Sequence, residues 1–346
     1  MELGSFDNLT PDSMIDAVEQ TLGRPMSGLA APLPSYINRV YELQAVDGER
    51  LIAKFYRPGR WSHAALLEEH QFVMDCAADE IPVIAPLVLP DGKTIGVTDE
   101  NNFFVLYPKR FGREIEINQD EEWIRLGRVV ARMHLAGSRA EAPNRIHLHP
   151  ETSTANDIHS LLNGNFIPIE CQADFMTVTS EIMEELHGLF DDIEYIRIHG
   201  DCHRANILER PGEGLMIIDF DDMMTGPPIQ DLWLLLPGYA MDCQREINLI
   251  IEGYCEMRDF DEWTTRLIEP LRMMRLIYFL AWCARQSSDL KFQHNFPDWG
   301  SNAFWRREIV DLHDQLGRIR AWQGTNSGNS ISVTNGIYSE RIMTDF

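Results

Sequence analysis

Basic residues are scarce in this chain of 346 residues: 30 lysines and arginines stand against 54 aspartates and glutamates, giving a formal net charge of -24. Non-specific binding to nucleic acid depends on lysine and arginine contacts with phosphates, so the composition predicts no nucleic-acid partner. The acidity itself is typical of a surface that keeps a protein in solution. If the charge serves a partner, that partner is basic or is reached through a bound cation.

Paired cysteines and long apolar runs are also missing. The six cysteines are scattered, with no C-x-x-C pair, as expected for small buried residues in a reducing compartment. The N-terminus has no basic segment followed by an apolar stretch, and the longest candidate for a membrane span, at 276–284, is about half of the ~20 residues that a bilayer requires. The sequence therefore predicts a cytoplasmic protein with no membrane partner.

The chain changes character after its first third. The segment at 39–56 has two β-rich runs around Asp47-Gly48, which predicts a hairpin, and the apolar spacing across 61–80 predicts a helix. Helical patterns dominate further on, including the apolar stretch 267–286 that is typical of a buried helix. We therefore expect an α+β, two-lobed fold, with a small antiparallel β-rich N-lobe that contains one helix and a larger, mostly helical C-lobe.

The expected boundaries follow from these patterns. The N-lobe is predicted at 1–107, with the linker near 107–115, and the helical C-lobe at 108–323. The remainder, 324–346, is rich in glycine, serine and asparagine, which predicts a flexible tail.

Two polar stretches lie in the C-terminal half, HGDCHRANIL at 199–208 and LMIIDFDD at 215–222. A Pro-Gly turn between them predicts a hairpin, which would bring Asp201, Asn206 and Asp219 to one end. An amide oxygen and a carboxylate at such a place suit a hard divalent cation, and Mg2+ commonly keeps several waters while it binds substrate phosphates. The pattern therefore indicates a magnesium–phosphate site.

Asp201 lies apart from the predicted metal pair, Asn206 and Asp219, and could accept a proton from an attacking hydroxyl. A catalytic aspartate followed by an asparagine and a second aspartate on magnesium is the arrangement of kinases. H-G-D-x-H-x-x-N followed by I-D-F-D resembles the catalytic and metal loops of the aminoglycoside phosphotransferase and protein-kinase-like superfamily. The resemblance implies ATP as co-substrate, Mg2+ as cofactor, catalytic roles for Asp201 and Asp219, and Asn206 and Asp219 as metal ligands.

The resemblance also implies a lysine on a central strand that holds the α- and β-phosphates, and an acid on the next helix that fixes the lysine. Lys54 is a lone lysine in the apolar run LIAKFY, and the helix at 61–80 offers Glu68 and Glu69. Glu69 is the favoured partner, because its distance from the following I-P-V segment matches the superfamily pattern. Glu68 remains the alternative.

Glycine-rich phosphate-binding loops are absent: the sequence has no G-x-G-x-x-G and no Walker A pattern. LPSYINRVYEL, at 33–43, occupies the place of the phosphate-covering hairpin, so backbone amides and the Ser35 hydroxyl would contact phosphate. FFVLYPKR, at 103–110, lies where the superfamily has its linker between lobes. Its backbone near Leu106 and Tyr107 is expected to meet adenine.

Several polar residues near the motifs are interpreted as structural. Asp231, in GPPIQDLWLLL, is expected to hydrogen-bond the catalytic loop, and His199 is assigned a structural role as well. His203 either contacts phosphate or braces the loop, and the sequence does not decide between them. His147 and His149 lack a third ligand, which argues against a metal site.

The segment after the metal loop is short. Gly226 and Asp231 follow Asp219 so closely that no room remains for the long phosphorylatable activation segment of ordinary protein kinases. Spacing alone therefore favours a small hydroxyl substrate or a constitutively active enzyme. A small-molecule kinase of the aminoglycoside, choline or homoserine type is the alternative function.

Longer segments indicate a narrower family. SYINRVYEL, AKFYRPGRW, LLEEHQF, IHGDCHRANIL and IEPLRMMRLIYFLAW together resemble the bacterial stress response kinase A family, over residues 8–310. The resemblance implies an ATP- and Mg2+-dependent serine/threonine protein kinase of the bacterial cytoplasm, monomeric, able to autophosphorylate and active in a stress response. Its protein substrate is not identifiable from the sequence. Ser327, Ser330, Ser332 and Thr334 in the tail are conceivable autophosphorylation sites.

Overall fold

The computed structural model describes residues 4, 6, 9–35 and 37–326. The N-terminal region combines two helices with one sheet. Its elements are α1 (Pro11–Leu22), β1 (Met26–Pro32), β2 (Arg39–Ala45), β3 (Arg50–Phe55), α2 (His63–Ala78), β4 (Gly96–Val97) and β5 (Phe103–Pro108).

The five-stranded sheet is antiparallel throughout, in the order β1-β2-β3-β5-β4. β2 and β3 form the hairpin that Asp47-Gly48 predicts, because Gly48 turns the chain with a φ of 93°, a conformation that glycine adopts without strain. β3 is the central strand. Lys54 on β3 lies opposite Val40 of β2 and Val105 of β5, so the predicted lysine on a central strand is confirmed.

Helix α1 corrects the prediction of a single helix in the N-lobe. Thr10 caps it, because its hydroxyl accepts the Ser13 N–H while the Ser13 hydroxyl accepts the Thr10 N–H, which is a capping box. Met14 and Val18 are buried in the core beneath the sheet. The apolar stripe of α1 is narrow, which explains why a search for helical periodicity misses it.

Helix α2 fills the predicted helical segment. Ser62 caps it by accepting a hydrogen bond from the Ala65 N–H at 3.1 Å. Its buried face carries Phe72 and Val73, but also the charged Glu69. A carboxylate on a buried face costs free energy unless it is paired, so Glu69 requires polar partners there.

The C-terminal region is mostly helical, and together with the β-rich region it confirms the predicted α+β, two-lobed fold. Its helices are α3 (Asp120–Gly137), α4 (Ala155–Asn163), α5 (Ile169–Leu186), α6 (Ile229–Trp233), α7 (Gln244–Cys255), α8 (Ile268–Gln286), α9 (Leu290–Asn295) and α10 (Asn302–Asn326). Its strands are β6 (Arg113–Glu114), β7 (Ile196–Ile198), β8 (Ile207–Arg210), β9 (Gly214–Ile217) and β10 (Met224–Gly226). A search of the described residues finds no helix with the length and apolar character needed to span a bilayer.

Helices α3 and α7 cross at close range because each presents a glycine to the other's backbone. A Cβ on Gly127 would overlap the carbonyl oxygen of Ile250, and a Cβ on Gly253 would overlap that of Ile124. This contact anchors α3, whose C-terminal half supports the catalytic loop.

Helix α8 is buried on most of its surface, as its apolar sequence predicts. Helix α10 ends at Asn326, so the first three residues of the predicted tail at 324–346 are helical. The reason is that Trp322 is buried and fixes the last turns of the helix. Residues 327–346 lie outside the described residues, and so do the candidate phosphorylation sites Ser327, Ser330, Ser332 and Thr334.

Two small sheets hold the polar motifs. β8 and β9 form the predicted hairpin, with β6 on its outer side, and β7 pairs with β10. The HGDCHRAN stretch leads from β7 into β8, and the IDFDD stretch leads from β9 into β10. The Ile218 N–H donates to the Asn206 carbonyl oxygen at 3.0 Å, so the two motifs lie side by side at one end of the hairpin.

Candidate active site

The catalytic loop, residues 199–206, turns sharply after β7, and Gly200 makes that turn possible. Its φ is 82°, and a Cβ there would overlap the carbonyl oxygen of Asp222. The Asp231 carboxylate accepts the N–H groups of His199 at 2.7 Å and of Gly200 at 2.8 Å. The predicted structural role of Asp231 is therefore confirmed.

Asp201 lies directly after this turn, is buried, and forms a salt bridge with an arginine. Arg275 Nη2 lies 2.6 Å from Asp201 Oδ1, and His203 Nε2 lies 3.4 Å from Asp201 Oδ2. Burial alone would raise the pKa of Asp201, but Arg275 and the hydrogen bond from His203 outweigh it and hold the pKa well below its usual range. Asp201 is therefore ionised at neutral pH, as a proton acceptor must be.

Asn206 and Asp219 lie on neighbouring segments. The Asn206 side-chain nitrogen donates to the Asp201 carbonyl oxygen at 2.9 Å, which leaves the amide oxygen as the group for a ligand. Asp219 has a left-handed backbone, with a φ of 59° and a ψ of 69°, a strained conformation for a residue with a side chain. Its side chain is 53% exposed, so it is accessible to a ligand.

Lys54 is buried and forms ion pairs with two aspartates of the IDFDD loop. Its Nζ lies 2.8 Å from Asp219 Oδ1 and 3.1 Å from Asp221 Oδ1. Burial alone would lower the pKa of Lys54, but Asp219, Asp221 and Glu69 together raise the pKa well above its usual value. Lys54 is therefore a permanent cation at the point where the two lobes meet.

Glu69 is the predicted partner of Lys54, and the structure corrects this pairing. The Glu69 carboxylate accepts a hydrogen bond from Tyr56 OH at 3.0 Å and lies 3.7 Å from Arg145 Nη1. Burial raises its pKa to about 7, although Lys54 opposes the shift. Lys54 turns to the aspartates of the facing loop because they reach it directly and are easier to ionise than this fully buried acid.

Glu68, the alternative partner, is directed elsewhere. Its carboxylate accepts the Asn144 N–H at 3.0 Å and the Asn144 side-chain amide at 2.6 Å. Glu68 thus connects α2 to the segment after α3. Of the two acids, Glu69 is the one whose charge acts on Lys54.

A cavity of about 390 Å³ lies between the sheet and the two loops, and we call it the interlobe cleft. This volume is within the ~300–1,000 Å³ of typical small-molecule sites. Ser35 is half-buried at its edge. The residues predicted from the sequence that line the cleft are Ser35, Lys54, Tyr107, Asp201, Asn206 and Asp219.

The backbone near Leu106 is predicted to meet adenine, and the structure contradicts this prediction. Side chains alternate along β5, so Leu106 and Phe104 pack in the N-lobe core while Tyr107 borders the cleft. The Leu106 carbonyl oxygen accepts the Leu87 N–H at 2.8 Å. The prediction that Leu106 meets adenine is therefore wrong for its side chain and its carbonyl, and the wall continues from Tyr107 through residues 108–110.

Sequence reasoning missed the arginines that hold the IDFDD loop. Arg60 pairs with Asp221 and Asp222, each at 2.5 Å. Arg145 donates to the carbonyl oxygen of Asp221 and lies over the Trp61 ring, 3.7 Å from its centre. The available signal was the run of acids in an otherwise apolar stretch, because buried acids require cationic partners.

A second cavity of about 620 Å³ adjoins the cleft, and we call it the side cavity. Asp201, Asp222 and Arg60 line both cavities. Residues of α4 and α8 line much of the rest. The predicted base therefore has a cavity on each side, and a nucleotide and an acceptor could approach it separately.

The remaining motif histidines have identifiable contacts. His199 Nε2 lies 2.8 Å from the Ile218 carbonyl oxygen, which joins the two loops and confirms its structural role. His203 braces the loop through Asp201. His147 stacks on a tyrosine ring, and no group of three or more His, Cys, Asp or Glu within the described ranges could hold a metal ion.

Asn206 and Asp219 nevertheless fit a magnesium site in the chemistry of their donors. Each supplies an oxygen, the ligand type that Mg2+ prefers, and two protein ligands leave room for waters and phosphates. Asp219 already attracts a cation, the Lys54 ammonium. The pair would need phosphate oxygens to complete the coordination, which is the usual arrangement when Mg2+ binds with a nucleotide.

Known proteins are similar to this chain in sequence. The phosphotransferase enzyme family matches the chain over residues 30–266. Stress response kinase A of Escherichia coli strain K12 is 37% identical over 317 residues, which cover 90% of this chain and 94% of the relative. The serine/threonine protein kinase RdoA of Salmonella typhimurium strain LT2 is 35% identical over 312 residues, with coverage of 90% and 94%.

A solved structure has the same fold. The amicoumacin kinase hAmiN, in complex with AMP-PNP, Ca2+ and Ami, superimposes with a TM-score of 0.70 at 18% identity, covering 88% of this chain and 93% of that chain. At this identity the likeness establishes the fold alone. The identities above 30% across most of the chain, together with the matched domain, are more specific. The chain therefore belongs to the phosphotransferase enzyme family and, within it, to the stress response kinase A family.

Proposed function

We propose that this protein is an ATP- and Mg2+-dependent serine/threonine protein kinase of the stress-response type, able to autophosphorylate. The observation that carries the proposal is the meeting of Lys54, Asp201, Asn206 and Asp219 in one cleft. Kinase phosphoryl transfer depends on these residue types in these places. The names of the curated relatives, stress response kinase A and serine/threonine protein kinase RdoA, support a protein as the acceptor.

Asp201 is the catalytic base in this proposal. Its Oδ1 is held by Arg275 at 2.6 Å, whereas Oδ2 has only longer contacts, with His203 at 3.4 Å and Asn206 at 3.5 Å. Oδ2 is therefore assigned to accept the proton of the attacking hydroxyl. Because Asp201 is ionised and its loop is fixed by backbone hydrogen bonds, it can hold that hydroxyl in line with the phosphoryl group. Such positioning supplies much of the rate in phosphoryl transfer.

Asn206 and Asp219 would hold the metal ion, and Lys54 would hold the α- and β-phosphates. Bound Mg2+-ATP supplies the transferable phosphoryl group and a metal that neutralises charge on its oxygens. Lys54 would exchange the Asp219 carboxylate for phosphate oxygens, with Glu69 behind it. The Ser35 hydroxyl and Tyr107 border the cleft and are assigned to the nucleotide on that ground.

A small-molecule hydroxyl kinase is the second candidate. The side cavity favours it, because about 620 Å³ beside the proposed base is the size of a ligand pocket. The similar solved structure is named a kinase of amicoumacin. The short segment after Asp219 also supports it, since a long activation segment is the usual platform for a peptide.

We further propose a monomeric cytoplasmic protein with an unidentified protein substrate, a phosphate-binding N-lobe at 1–107 and a catalytic C-lobe at 108–323. All six cysteines are free in the structure, which suits a reducing compartment. The net charge of -24 argues against a nucleic-acid partner.

Transfer from γ-labelled ATP with Mg2+ tests the proposal. In Asp201→Ala, label incorporated into a generic acidic protein and into the enzyme itself should fall by about 10²–10⁴-fold, as for loss of a general base. ATP affinity should stay nearly unchanged, because Asp201 does not hold the phosphates. Label on serine or threonine that disappears in the variant would support a protein kinase, whereas loss of ATP binding would contradict the assigned role.

Asp219→Ala tests the metal assignment separately. The variant should lose its response to added Mg2+, because one of two protein ligands is gone. Steady-state transfer measured across a magnesium titration reports this directly. An unchanged magnesium requirement would exclude Asp219 as a ligand.

A further inference from the structure

The side cavity is the approach to Asp201 that the nucleotide would leave open. The interlobe cleft contains Lys54, Asn206 and Asp219, none of which lines the side cavity. Asp201 lines both. In an in-line transfer the acceptor hydroxyl attacks phosphorus opposite the leaving group while its proton points at the base, so the side cavity is the approach to Asp201 that remains open to an acceptor.

The charges in the side-cavity wall are balanced in pairs. Each aspartate that lines it has an arginine partner that also lines it, so the wall presents three ion pairs and no net charge from these residues. The pairs are Arg60 with Asp222 at 2.5 Å, Arg275 with Asp201 at 2.6 Å, and Arg285 with Asp157 at 3.0 Å.

A balanced wall selects against charged acceptors. An ammonium or a carboxylate that enters the cavity loses hydration and finds no unpaired counter-charge to replace it. A kinase pocket for polyamines needs the opposite, a surplus of acids. His147 adds no charge to this wall at neutral pH, because burial lowers its pKa.

The rest of the wall is mainly apolar and aromatic, and its other polar groups are uncharged. Leu271 and Met274 contribute aliphatic surface from α8, and Trp61 and Tyr278 contribute rings. Uncharged hydroxyl and amide groups from Thr152, Ser153, Thr154, Asn156 and Gln230 complete the wall. Such groups can exchange hydrogen bonds with an uncharged oxygen.

We infer that the side cavity binds the acceptor through an uncharged, partly apolar group next to the reacting hydroxyl. This inference rests on the proposed phosphotransferase function and names the chemistry of its acceptor. A neutral alcohol of small size and a serine or threonine beside an apolar side chain share that chemistry.

The test uses three probes that share a phenyl ring and a two-carbon unit and differ in the polar end group and its charge: 2-phenylethanol, 2-phenylethylammonium and phenylacetate. Dissociation constants for the full chain are measured by NMR titration at pH 8 and 0.3 M salt, where the overall negative charge of the protein is screened. 2-Phenylethanol should bind about tenfold more tightly than either ion. Equal or tighter binding of the ammonium or the carboxylate would overturn the inference.

A matched pair of variants on α4 locates the binding. Asn156 is exposed and lines the side cavity, whereas Asn163 is exposed at the end of the same helix and does not line it. Asn156→Trp should weaken the binding of 2-phenylethanol by about tenfold, because the indole fills the entrance of the cavity. Asn163→Trp should leave the binding unchanged. Thermal unfolding of both variants shows that each is folded. Unaltered binding in Asn156→Trp would place the probe elsewhere and overturn the inference.

Arg285→Met tests the charge pairing itself. The change leaves Asp157 without its arginine, and pH 8 is chosen to favour the ionised acid because burial raises its pKa. 2-Phenylethylammonium should then bind at least as tightly as 2-phenylethanol. Arg258→Met is the control, because Arg258 pairs with Glu194 at 2.5 Å outside the cavity. If the three probes keep the same order of affinity in Arg285→Met, the paired charges do not cause the exclusion of the ammonium.

A displacement experiment distinguishes a protein segment from a small alcohol as the acceptor. The capped tripeptide acetyl-Phe-Ser-Phe-amide should displace 2-phenylethanol if the cavity receives a protein segment, and should fail to do so if it receives only small alcohols. Binding is measured without turnover, so it is independent of catalysis. Neutral-probe preference without any transfer from ATP would refute the proposed function, whereas transfer with a preference for charged probes would refute this inference.

Discussion

The two sides of the interlobe cleft are held in place by different forces. On the C-lobe side, the Asp231 carboxylate binds the backbone amides of His199 and Gly200. On the N-lobe side, the partners of Lys54 and Glu69 among the described residues are side chains, namely other charged groups and a tyrosine hydroxyl. Backbone hydrogen bonds fix one geometry, whereas buried charged side chains can exchange partners at a cost that depends on their protonation.

This difference explains which expectations the structure satisfies. The catalytic loop has the contacts that its sequence predicts, because its geometry is set by the backbone and by one carboxylate. The Lys54–Glu69 ion pair is not formed. Three acids, Asp219, Asp221 and Glu69, act on Lys54, and the ionisation of each depends on the whole site. Asp201, the proposed base, is therefore positioned by the fold, and Lys54 is positioned by the anions that surround it.

The largest effect is expected where the backbone itself is changed. Gly200→Ala places a Cβ against the Asp222 carbonyl oxygen and forces a side chain into a φ of 82°. We expect a stability loss of about 3 kcal/mol or more, and loss of transfer activity because Asp201 shifts. Thermal unfolding and labelled-ATP transfer measure the two effects.

Gly212→Ala is the matched control for that variant. Gly212 has a similar φ of 79°, but a Cβ there meets nothing within 4 Å. It should cost about 1 kcal/mol from backbone strain alone and leave transfer intact. Equal losses in the two variants would mean that the close approach at Gly200 is unimportant.

An intermediate effect is expected where a side chain holds the base. Arg275→Met removes the cation on Asp201 Oδ1, so kcat should fall by about 10–100-fold while the KM for ATP stays the same. The pKa of Asp201 should rise, because Arg275 is its main charge partner. Activity should therefore decline at mildly acidic pH, where the native enzyme keeps its base ionised.

Arg275→Lys should recover part of the lost kcat by restoring a cation. Arg258→Met removes an arginine of similar exposure in another ion pair and serves as the control. A rise in the KM for ATP together with a lower kcat and a lower melting temperature, and no recovery in Arg275→Lys, would show that Arg275 only supports the fold.

The last effect, on the N-lobe side of the cleft, is confined to the pH dependence of stability. Burial raises the pKa of Glu69 from 4.5 to about 7, so the folded state prefers the protonated acid. Relative to Glu69→Gln, the native protein should lose stability as pH rises from about 4.5 to 7, by up to about 3 kcal/mol. Chemical denaturation across this pH range measures the difference, and Glu68→Gln should show none of it.

Local rules made much of the structure predictable. The turn at Gly48, the Ser62 cap and the hairpin between the two motifs depend on short stretches, and the structure has all three. Lys54 could be placed on a central strand because a lone lysine in an apolar run has few explanations. Asp201, Asn206 and Asp219 meet because their spacing on a hairpin leaves little choice.

What the sequence concealed depends on distant contacts. Leu106 was misassigned because the face of a strand residue depends on the register of the sheet. Arg275 was overlooked because it comes 74 residues after Asp201 in the chain, on a helix whose sequence predicts only burial. Pairing among buried charges is a property of the assembled site, and no short segment contains it.

Asp231 also sets an order of events during synthesis. Its carboxylate binds the His199 N–H, 32 residues earlier in the chain, and lies 3.0 Å from His134 Nε2 on α3. A ribosome therefore completes the catalytic loop well before it supplies the group that fixes it. The loop can settle only after α6 has emerged and docked on α3, so Asp201 reaches its final place late, and an unfinished chain holds no positioned base.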